Sequence, residues 1–129
     1  MKINHIGYAV ANMHDSIQSF ELLGFYVLKE TINDLKRNIE ITFMKSNDTV
    51  IELISPLNSN SPVSNILKKM GNTPYHLCFE TLDIGEKINQ LKSNGFIAIN
   101  AVDEAVAIDN KKIVFLYNKS IGIIELVEI

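Results

Sequence analysis

The sequence predicts an α+β fold made of two tandem βαβββ modules. Three observations lead to this prediction. The opening segment of the chain recurs near its middle, the recurring segment changes from strand-like to helical spacing, and a short apolar stretch with a central glutamate closes each copy. Such self-similarity indicates one supersecondary unit that occurs twice. The matched positions are His5 and His76, Gly24-Phe25 and Gly95-Phe96, and Ile51-Glu52-Leu53 and Ile124-Glu125-Leu126.

The first module begins with an apolar, β-prone segment and continues with a helix. Asn12 is a candidate N-cap, apolar residues follow it at helical spacing, and Gly24 would end the helix as a C′ glycine. Turn-forming residues then separate three further strands. The predicted strands are residues 3–10, 25–30, 37–45 and 50–54, with turns at 33–34 and 46–48.

The second module follows a connector that is rich in proline, asparagine and serine. Ser61 would cap a short helix that has Pro62 at its first position and stops at Gly71. Asp83 would cap the helix of the second module, which ends at 94–95. Strands are predicted at 75–80, 96–100, 112–117 and 122–128, and residues 101–110 fit either a short strand or an ordered loop. We expect a single domain, 1–129, composed of module 1–55, connector 56–73 and module 74–129.

Composition excludes several classes of protein. Of the 129 residues, 47% are hydrophobic and 21% are charged, which is typical of a globular chain and excludes disorder. A net charge of −3 without a basic run argues against a nucleic-acid partner. The single cysteine fits a reducing compartment, and no apolar run approaches the length of about 20 residues that a membrane helix needs. We therefore expect a cytoplasmic protein without a signal peptide or a membrane partner.

The candidate site residues follow from the alternation of side chains along a strand. In Ile51-Glu52-Leu53 the glutamate points away from its two apolar neighbours, and Glu125 does the same in the second copy. His5 and His76 each lie on the first strand of a module. Each module therefore offers one histidine and one glutamate.

A divalent metal ion would explain this combination. A carboxylate within so apolar a strand is costly to bury unpaired. Neutral imidazoles and two carboxylates suit Zn²⁺, Ni²⁺, Co²⁺, Mn²⁺ or Fe²⁺, and the two negative charges balance those of the ion. The predicted ligands are His5, Glu52, His76 and Glu125.

Ordinary structural roles are the alternative for these residues. A histidine at a strand start is more often a hydrogen-bonded core residue than a ligand, and a glutamate on a last strand usually faces solvent. Repetition of both residues in register favours the metal site. His14 has no counterpart and is interpreted as a surface residue, whereas Cys78 is interpreted as a small core residue rather than a reactive thiol.

With these residues in place, the chain resembles the vicinal oxygen chelate superfamily, also called the glyoxalase/bleomycin resistance/dioxygenase superfamily. The resemblance covers nearly the whole chain and is closest to the methylmalonyl-CoA epimerase-like branch. It implies a glyoxalase-like fold, a half-open eight-stranded barrel around one metal ion held by the four residues named above. Family habit and exposed sheet edges also favour a homodimer. The matching segments are His5-Ile6-Gly7-Tyr8-Ala9-Val10, Ile51-Glu52-Leu53-Ile54-Ser55-Pro56-Leu57, Ser61-Pro62-Val63, Tyr75-His76-Leu77-Cys78-Phe79-Glu80 and Ile124-Glu125-Leu126-Val127-Glu128.

The resemblance implies a metal-dependent isomerase or epimerase that transfers a proton next to a carbonyl, on a small-molecule substrate such as an acyl-thioester. The metal would stabilise the developing negative charge. Glu125 or Glu52 would carry the proton, with Glu40 as a further candidate, because Lys36-Arg37-Asn38-Ile39 stands where the epimerases have a catalytic glutamate. The other departure is Asp109-Asn110-Lys111-Lys112, which replaces a Gly-Gly-Lys-like loop. Three cations are candidates for binding an anionic tail, with ordinary solvated charge as their alternative role: Lys36, Arg37 and Lys119.

Two other functions stay open. A glyoxalase I-type lactoylglutathione lyase is favoured by Glu52, because metal-dependent glyoxalase I enzymes have glutamate where these epimerases usually have glutamine. A non-catalytic binding protein of the bleomycin-resistance type would sequester a small molecule or antibiotic without a metal. An iron-dependent dioxygenase is disfavoured, since such enzymes typically use two histidines and one carboxylate, and this chain offers four ligands.

Overall fold

The structure is a computed structural model that describes every residue, Met1–Ile129, and contains nine β-strands and three α-helices. It divides into two compact units. The N-terminal unit is His5–Tyr75, and the C-terminal unit comprises Met1–Asn4 together with His76–Ile129. The predicted α+β class with two βαβββ modules is confirmed. None of the helices combines the length and the hydrophobicity required to cross a lipid bilayer.

The N-terminal unit consists of a four-stranded sheet with helices. Its elements are β1 (Ile3–Ala9), α1 (Met13–Leu22), β2 (Tyr26–Asp34), β3 (Ile39–Ser46), β4 (Thr49–Pro56) and α2 (Pro62–Met70). Strand β1 is parallel to β4, whereas β2, β3 and β4 form antiparallel pairs, so that the order is β2-β3-β4-β1. The two parallel strands are joined through the rest of the module, as parallel strands need a crossover connection.

The C-terminal unit repeats this plan. Its elements are β5 (Thr73–Thr81), α3 (Ile84–Lys92), β6 (Ile97–Ala98), β7 (Asp103–Ala105), β8 (Lys111–Asn118) and β9 (Gly122–Glu128), with a 3₁₀ turn at Val106–Ile108. The strand order is β5-β9-β8-β6, and β5 is parallel to β9. Both β6 and β7 pair with β8. Two short strands therefore replace the single β2 of the other unit, which is why nine strands are present rather than the eight expected.

Helices α1 and α3 begin and end in the same way. The side chains of Asn12 and Asp83 accept hydrogen bonds from backbone N–H groups of the first turn, as N-caps do. Gly24 and Gly95 have φ of +89° and +88°, and each N–H donates to a carbonyl three residues earlier. The following N–H groups, of Phe25 and of residue 96, reach carbonyls five residues earlier, which completes a Schellman motif in each unit.

One face of each sheet packs against its helix. The helix-side core of the N-terminal unit contains Val10, Met13, Met44, Ile51 and Leu53, and that of the C-terminal unit contains Ile84, Val114, Leu116, Ile124 and Leu126. Because side chains alternate along a strand, the residues between these positions in β4 and β9 point to the other face. Glu52 and Glu125 are such residues.

Some predicted boundaries are correct and others are wrong. The capped helix at Ser61 and Pro62 runs to Met70 as predicted, and the hairpin turn lies at 47–48, where Asn47 has φ of +50°. The turn predicted at 33–34 is wrong, because β2 continues through Asp34 and the chain reverses at 35–38, where Asn38 has φ of +59°. The strand predicted at 96–100 shortens to two residues. Both alternatives for 101–110 occur, as β7 and the 3₁₀ turn.

Candidate functional site

The N-terminal unit contains a buried histidine–glutamate pair. Gly7 of β1 is the register partner of Glu52 in β4, and His5 lies two residues before Gly7, so all three side-chain positions share one face. Nε2 of His5 is 3.2 Å from Oε2 of Glu52. His5 is 1% exposed and Glu52 is 4% exposed. The predicted pairing of these two residues is thus present in this unit.

The C-terminal unit contains the equivalent pair. Cys78 of β5 is the register partner of Glu125 in β9, and His76 lies two residues before Cys78 on the same face. Nε2 of His76 is 3.1 Å from Oε2 of Glu125, and both side chains are buried. Cys78 is also fully buried, in agreement with its interpretation as a small core residue, and it occupies the position that Gly7 has in the other unit.

These two pairs have the chemistry of metal ligands. Four buried residues, His5, Glu52, His76 and Glu125, each offer one nitrogen or oxygen donor. Two donors bound about 2.1 Å from one ion at tetrahedral or octahedral angles lie roughly 3.0–3.4 Å apart. The separations of 3.2 Å and 3.1 Å within the two pairs match that spacing. The residues present therefore fit a divalent metal ion.

A phenylalanine flanks each histidine. The rings of His5 and Phe43 are T-shaped, with centroids 5.4 Å apart and an interplanar angle of 83°. His76 and Phe115 repeat the arrangement at 5.2 Å and 86°. The two phenylalanines are the register partners of Glu52 and Glu125, so they lie on the same faces as the pairs. They restrict the orientation of the imidazoles, and neither was predicted from the sequence.

Glu40 lies on a different face from Glu52. Glu40 is the register partner of Ser55, whereas Glu52 is the partner of Phe43, three residues further along β3. Positions separated by an odd number of residues in a regular strand point to opposite faces. Glu40 therefore points to the face that carries Leu53, and the structure does not bring it together with Glu52 within this unit.

The remaining candidates are spread over the surface. His14, Lys36 and Lys119 are exposed, and the surface position of His14 agrees with its interpretation from the sequence. Arg37 is partly buried because its guanidinium binds Asp34, with 2.8 Å between Nη1 and Oδ2.

A cleft of about 370 Å³ lies on the helix side of the N-terminal sheet. Its walls come from α1 and from Tyr8, which is the register partner of Leu53 and therefore points away from the face of Glu52. None of the paired histidines and glutamates lines it.

Comparison with known proteins identifies relatives of the whole chain. The sequence model described as the Glyoxalase/Bleomycin resistance protein/Dioxygenase superfamily matches residues 4–115. The mitochondrial methylmalonyl-CoA epimerase of Dictyostelium discoideum is 28% identical over 130 residues, which cover 98% of this chain and 78% of the relative. The uncharacterized protein YqjC of Bacillus subtilis (strain 168) is 31% identical over 117 residues, which cover 89% of this chain and 81% of YqjC.

A solved structure shares the fold. The methylmalonyl-CoA epimerase of Streptomyces coelicolor, as a variant in complex with 2-nitronate-propionyl-CoA, superposes with a TM-score of 0.88 at 23% identity. The match covers 99% of this chain and 94% of the other. At 23% sequence identity, this similarity is evidence for a shared fold and not for a shared function.

Proposed function

Because the chain belongs to the glyoxalase/bleomycin resistance protein/dioxygenase superfamily, we propose that it is a metal-dependent epimerase that moves the proton next to the carbonyl of an acyl-thioester. The observation that carries this proposal is the pair of equivalent buried histidine–glutamate contacts, one in each unit. The named relative is a methylmalonyl-CoA epimerase, which supports the reaction class and a thioester substrate.

The proposed ligands of one divalent ion are His5, Glu52, His76 and Glu125. Two carboxylates and two neutral imidazoles give a donor set whose charge balances the ion. A bound divalent ion supplies Lewis-acid stabilisation of the negative charge that develops on the carbonyl oxygen when the α-proton leaves. The phenylalanines pack against the imidazoles and limit their rotation. Both imidazoles are buried, and electrostatic interactions are stronger in a site shielded from water.

The proton carrier in this proposal is one of the two buried glutamates. A general base must reach the proton that it removes, and the substrate must lie on the face that carries the pairs. Glu125 and Glu52 lie on the faces that carry the pairs, whereas Glu40 points to the other side of its sheet. We therefore assign proton transfer to Glu125 or Glu52 and leave Glu40 out of the mechanism.

A second candidate function is supported by a specific residue. Glu52 is a carboxylate where the epimerase-like branch usually has an amide, and metal-dependent glyoxalase I enzymes share the carboxylate. A lactoylglutathione lyase would use the same ligands and the same type of proton transfer on a glutathione hemithioacetal. Substrate assays separate the two functions, since only the epimerase exchanges the α-proton of an acyl-thioester with solvent.

The metal is tested first, by measuring the metal content of protein purified without an affinity tag or a chelator. We expect about one divalent ion per chain in the wild type, because one ion needs ligands from both pairs to complete its usual four-coordinate shell. His76→Ala should then lose the ion entirely, and His14→Ala, which changes an exposed histidine, should keep it. Wild-type protein that takes up no Zn²⁺, Co²⁺ or Ni²⁺ would contradict the enzyme mechanism and favour a metal-free binding protein.

A further inference from the structure

We infer that Arg37, held in place by the buried carboxylate of Asp34, binds an anionic group of the substrate at the end of the N-terminal sheet. The inference rests on the proposed function, because it assigns a contact to the substrate of that site. The anionic group is a phosphate or a carboxylate, and both are groups that the planar, forked donors of arginine recognise.

The position of Asp34 places this ion pair on the face of the metal-binding pair. Asp34 is the register partner of Ile39 in β3, and Phe43, the partner of Glu52, lies an even number of residues further along the same strand. These side chains therefore share one face. The four-residue separation of Ile39 and Phe43 along β3 corresponds to about 14 Å. Arg37 can thus contact a part of the ligand different from the part held beside Glu52.

The contact between Asp34 and Arg37 does more than form a turn. Oδ1 of Asp34 accepts the backbone N–H of residue 37 at 3.1 Å, a bond that almost any residue at that position could supply. Oδ2 accepts a second bond from Nη1 of Arg37 at 2.8 Å, and only the guanidinium supplies it. Asp34 is 3% exposed, so burying its carboxylate is costly unless this pairing is maintained.

The two units differ at this position although their cores correspond. Ala105 of β7 pairs with Lys111 at the start of β8 in the way that Asp34 of β2 pairs with Ile39 at the start of β3. Ala105 is buried, yet it is apolar. The shared fold therefore does not require a buried ion pair here. A costly polar feature in only one of the two equivalent units points to a ligand contact that the N-terminal unit alone makes.

The charge of the turn supports an anionic partner. Residues 34–38 contain one carboxylate, Asp34, and two cations, Lys36 and Arg37. The connection therefore keeps a net positive charge even when the internal ion pair is formed. Lys36 is exposed, and Arg37 supplies directional hydrogen bonds.

The test is equilibrium binding of two probes by calorimetry. Coenzyme A carries phosphates without an acyl carboxylate, and a malonyl thioester of N-acetylcysteamine carries a carboxylate without phosphates. Arg37→Gln should weaken one probe by roughly tenfold or more, the size of a lost charge-assisted hydrogen bond. The probe that loses affinity identifies the anionic group. Lys92→Gln removes the same charge from an exposed position at the end of α3 in the other unit and should leave both affinities unchanged.

Two further variants separate recognition from folding. Arg37→Lys keeps the charge but loses the forked geometry, and we expect a partial loss for the same probe. Asp34→Asn should weaken that probe and spare the other, as expected of a positioning residue. Unchanged binding in Arg37→Gln, equal losses in Arg37→Gln and Lys92→Gln, or no binding of either probe by the wild type would each overturn the inference.

Proton exchange measured on the same samples keeps this inference separate from the proposed function. If acyl-thioester protons exchange but Arg37→Gln binds both probes normally, the inference fails while the epimerase proposal stands. If binding depends on Arg37 but no exchange occurs in metal-loaded protein, the anion contact stands and the epimerase proposal fails.

Discussion

His5 and His76 occupy equivalent surroundings, each between a glutamate and a phenylalanine. The glutamate contacts are 3.2 Å and 3.1 Å, and the ring centroids are 5.4 Å and 5.2 Å apart. Contacts on two sides leave an imidazole little freedom to rotate. A site that binds a ligand of defined geometry benefits from such preorganisation, because less conformational entropy is lost on binding.

Glu128 allows a prediction at the scale of single residues. Its carboxylate accepts the N–H of Ile84 at the start of α3 and a hydrogen bond from Lys112, and these contacts, in that order, hold the pKa of Glu128 below its ordinary value of 4.5. The same pairing raises the pKa of Lys112 above 10.5. A carboxylate whose pKa is lower in the folded state stabilises the fold above its unfolded pKa, and this contribution disappears as pH falls through the folded pKa.

We therefore expect Glu128→Gln to be less stable than the wild type at neutral pH, with the difference shrinking below about pH 4.5. At the alkaline end the contribution of Lys112 is present below pH 10.5 and is lost as pH rises through its raised pKa. Urea denaturation across this range measures the difference. Glu86→Gln removes the same charge from the first turn of α3 without touching either contact. A difference for Glu128→Gln that is constant with pH would refute this account.

The repeat allowed the histidine–glutamate pairs to be predicted, but it hid the phenylalanines. The first strands and helices of the two copies correspond at one constant spacing, whereas the later strands are displaced because the connections differ in length. The offset in residue number between β3 and β8 differs from the offset between the first strands. Phe43 and Phe115 are recognised as equivalent only when this different offset is applied. The sheet face of Glu40 could not be predicted for a related reason, since it depends on the register with β4.

At the scale of elements, the helices were predicted well because their signals are local. Asn12, Ser61 and Asp83 each cap a helix through a side-chain oxygen, and these contacts involve neighbouring residues only. The ends of β2 and β6 depend on pairing with distant strands. Pairing carried β2 through a segment rich in turn formers, and it left β6 with only two residues. Local propensity is a weak guide where ladder hydrogen bonds decide the outcome.

The helix ends provide a prediction at this scale. Gly24 and Gly95 have φ near +90°, and nothing lies within 4 Å of a Cβ added to Gly24. The cost of Gly24→Ala must therefore come from the backbone conformation, at about 1–2 kcal/mol. Gly95→Ala should cost a similar amount, because its nearest neighbour would be 3.9 Å away. The free energy of unfolding in guanidinium measures both values.

Gly85→Ala is the matched control for these glycine substitutions. Gly85 lies inside α3, and its added Cβ would meet Oδ1 of Asp83 at 3.4 Å, an ordinary contact. Alanine is favoured over glycine in a helix, so we expect this variant to gain about 0.5–1 kcal/mol. A loss of stability in Gly85→Ala as large as that in Gly24→Ala would show that the two Schellman glycines are not special.

At the scale of the whole molecule, the two copies of the repeat form similar helix-side cores but differ at other buried positions. The helix-side clusters correspond nearly residue for residue, as with Leu53 and Leu126, whereas Asp34 and Ala105 do not. Shared positions maintain the fold, and differing buried positions are where the units can specialise. That the chain forms a single domain, that it is a homodimer and that it is cytoplasmic stay predictions.

The proposed metal ion should also contribute to the stability of the whole molecule. A ligand that binds only the folded state stabilises it by an amount that grows with the logarithm of its concentration, about 2.7 kcal/mol at 100 times its dissociation constant. If one ion binds both pairs, a chelator should lower the thermal midpoint of the wild type, and either His5→Ala or His76→Ala should abolish the response completely. If each pair bound its own ion, each variant would keep about half of the stabilisation. Thermal unfolding with Zn²⁺ and with a chelator, followed for the wild type and both variants, distinguishes these outcomes; half-sized responses would exclude a shared ion.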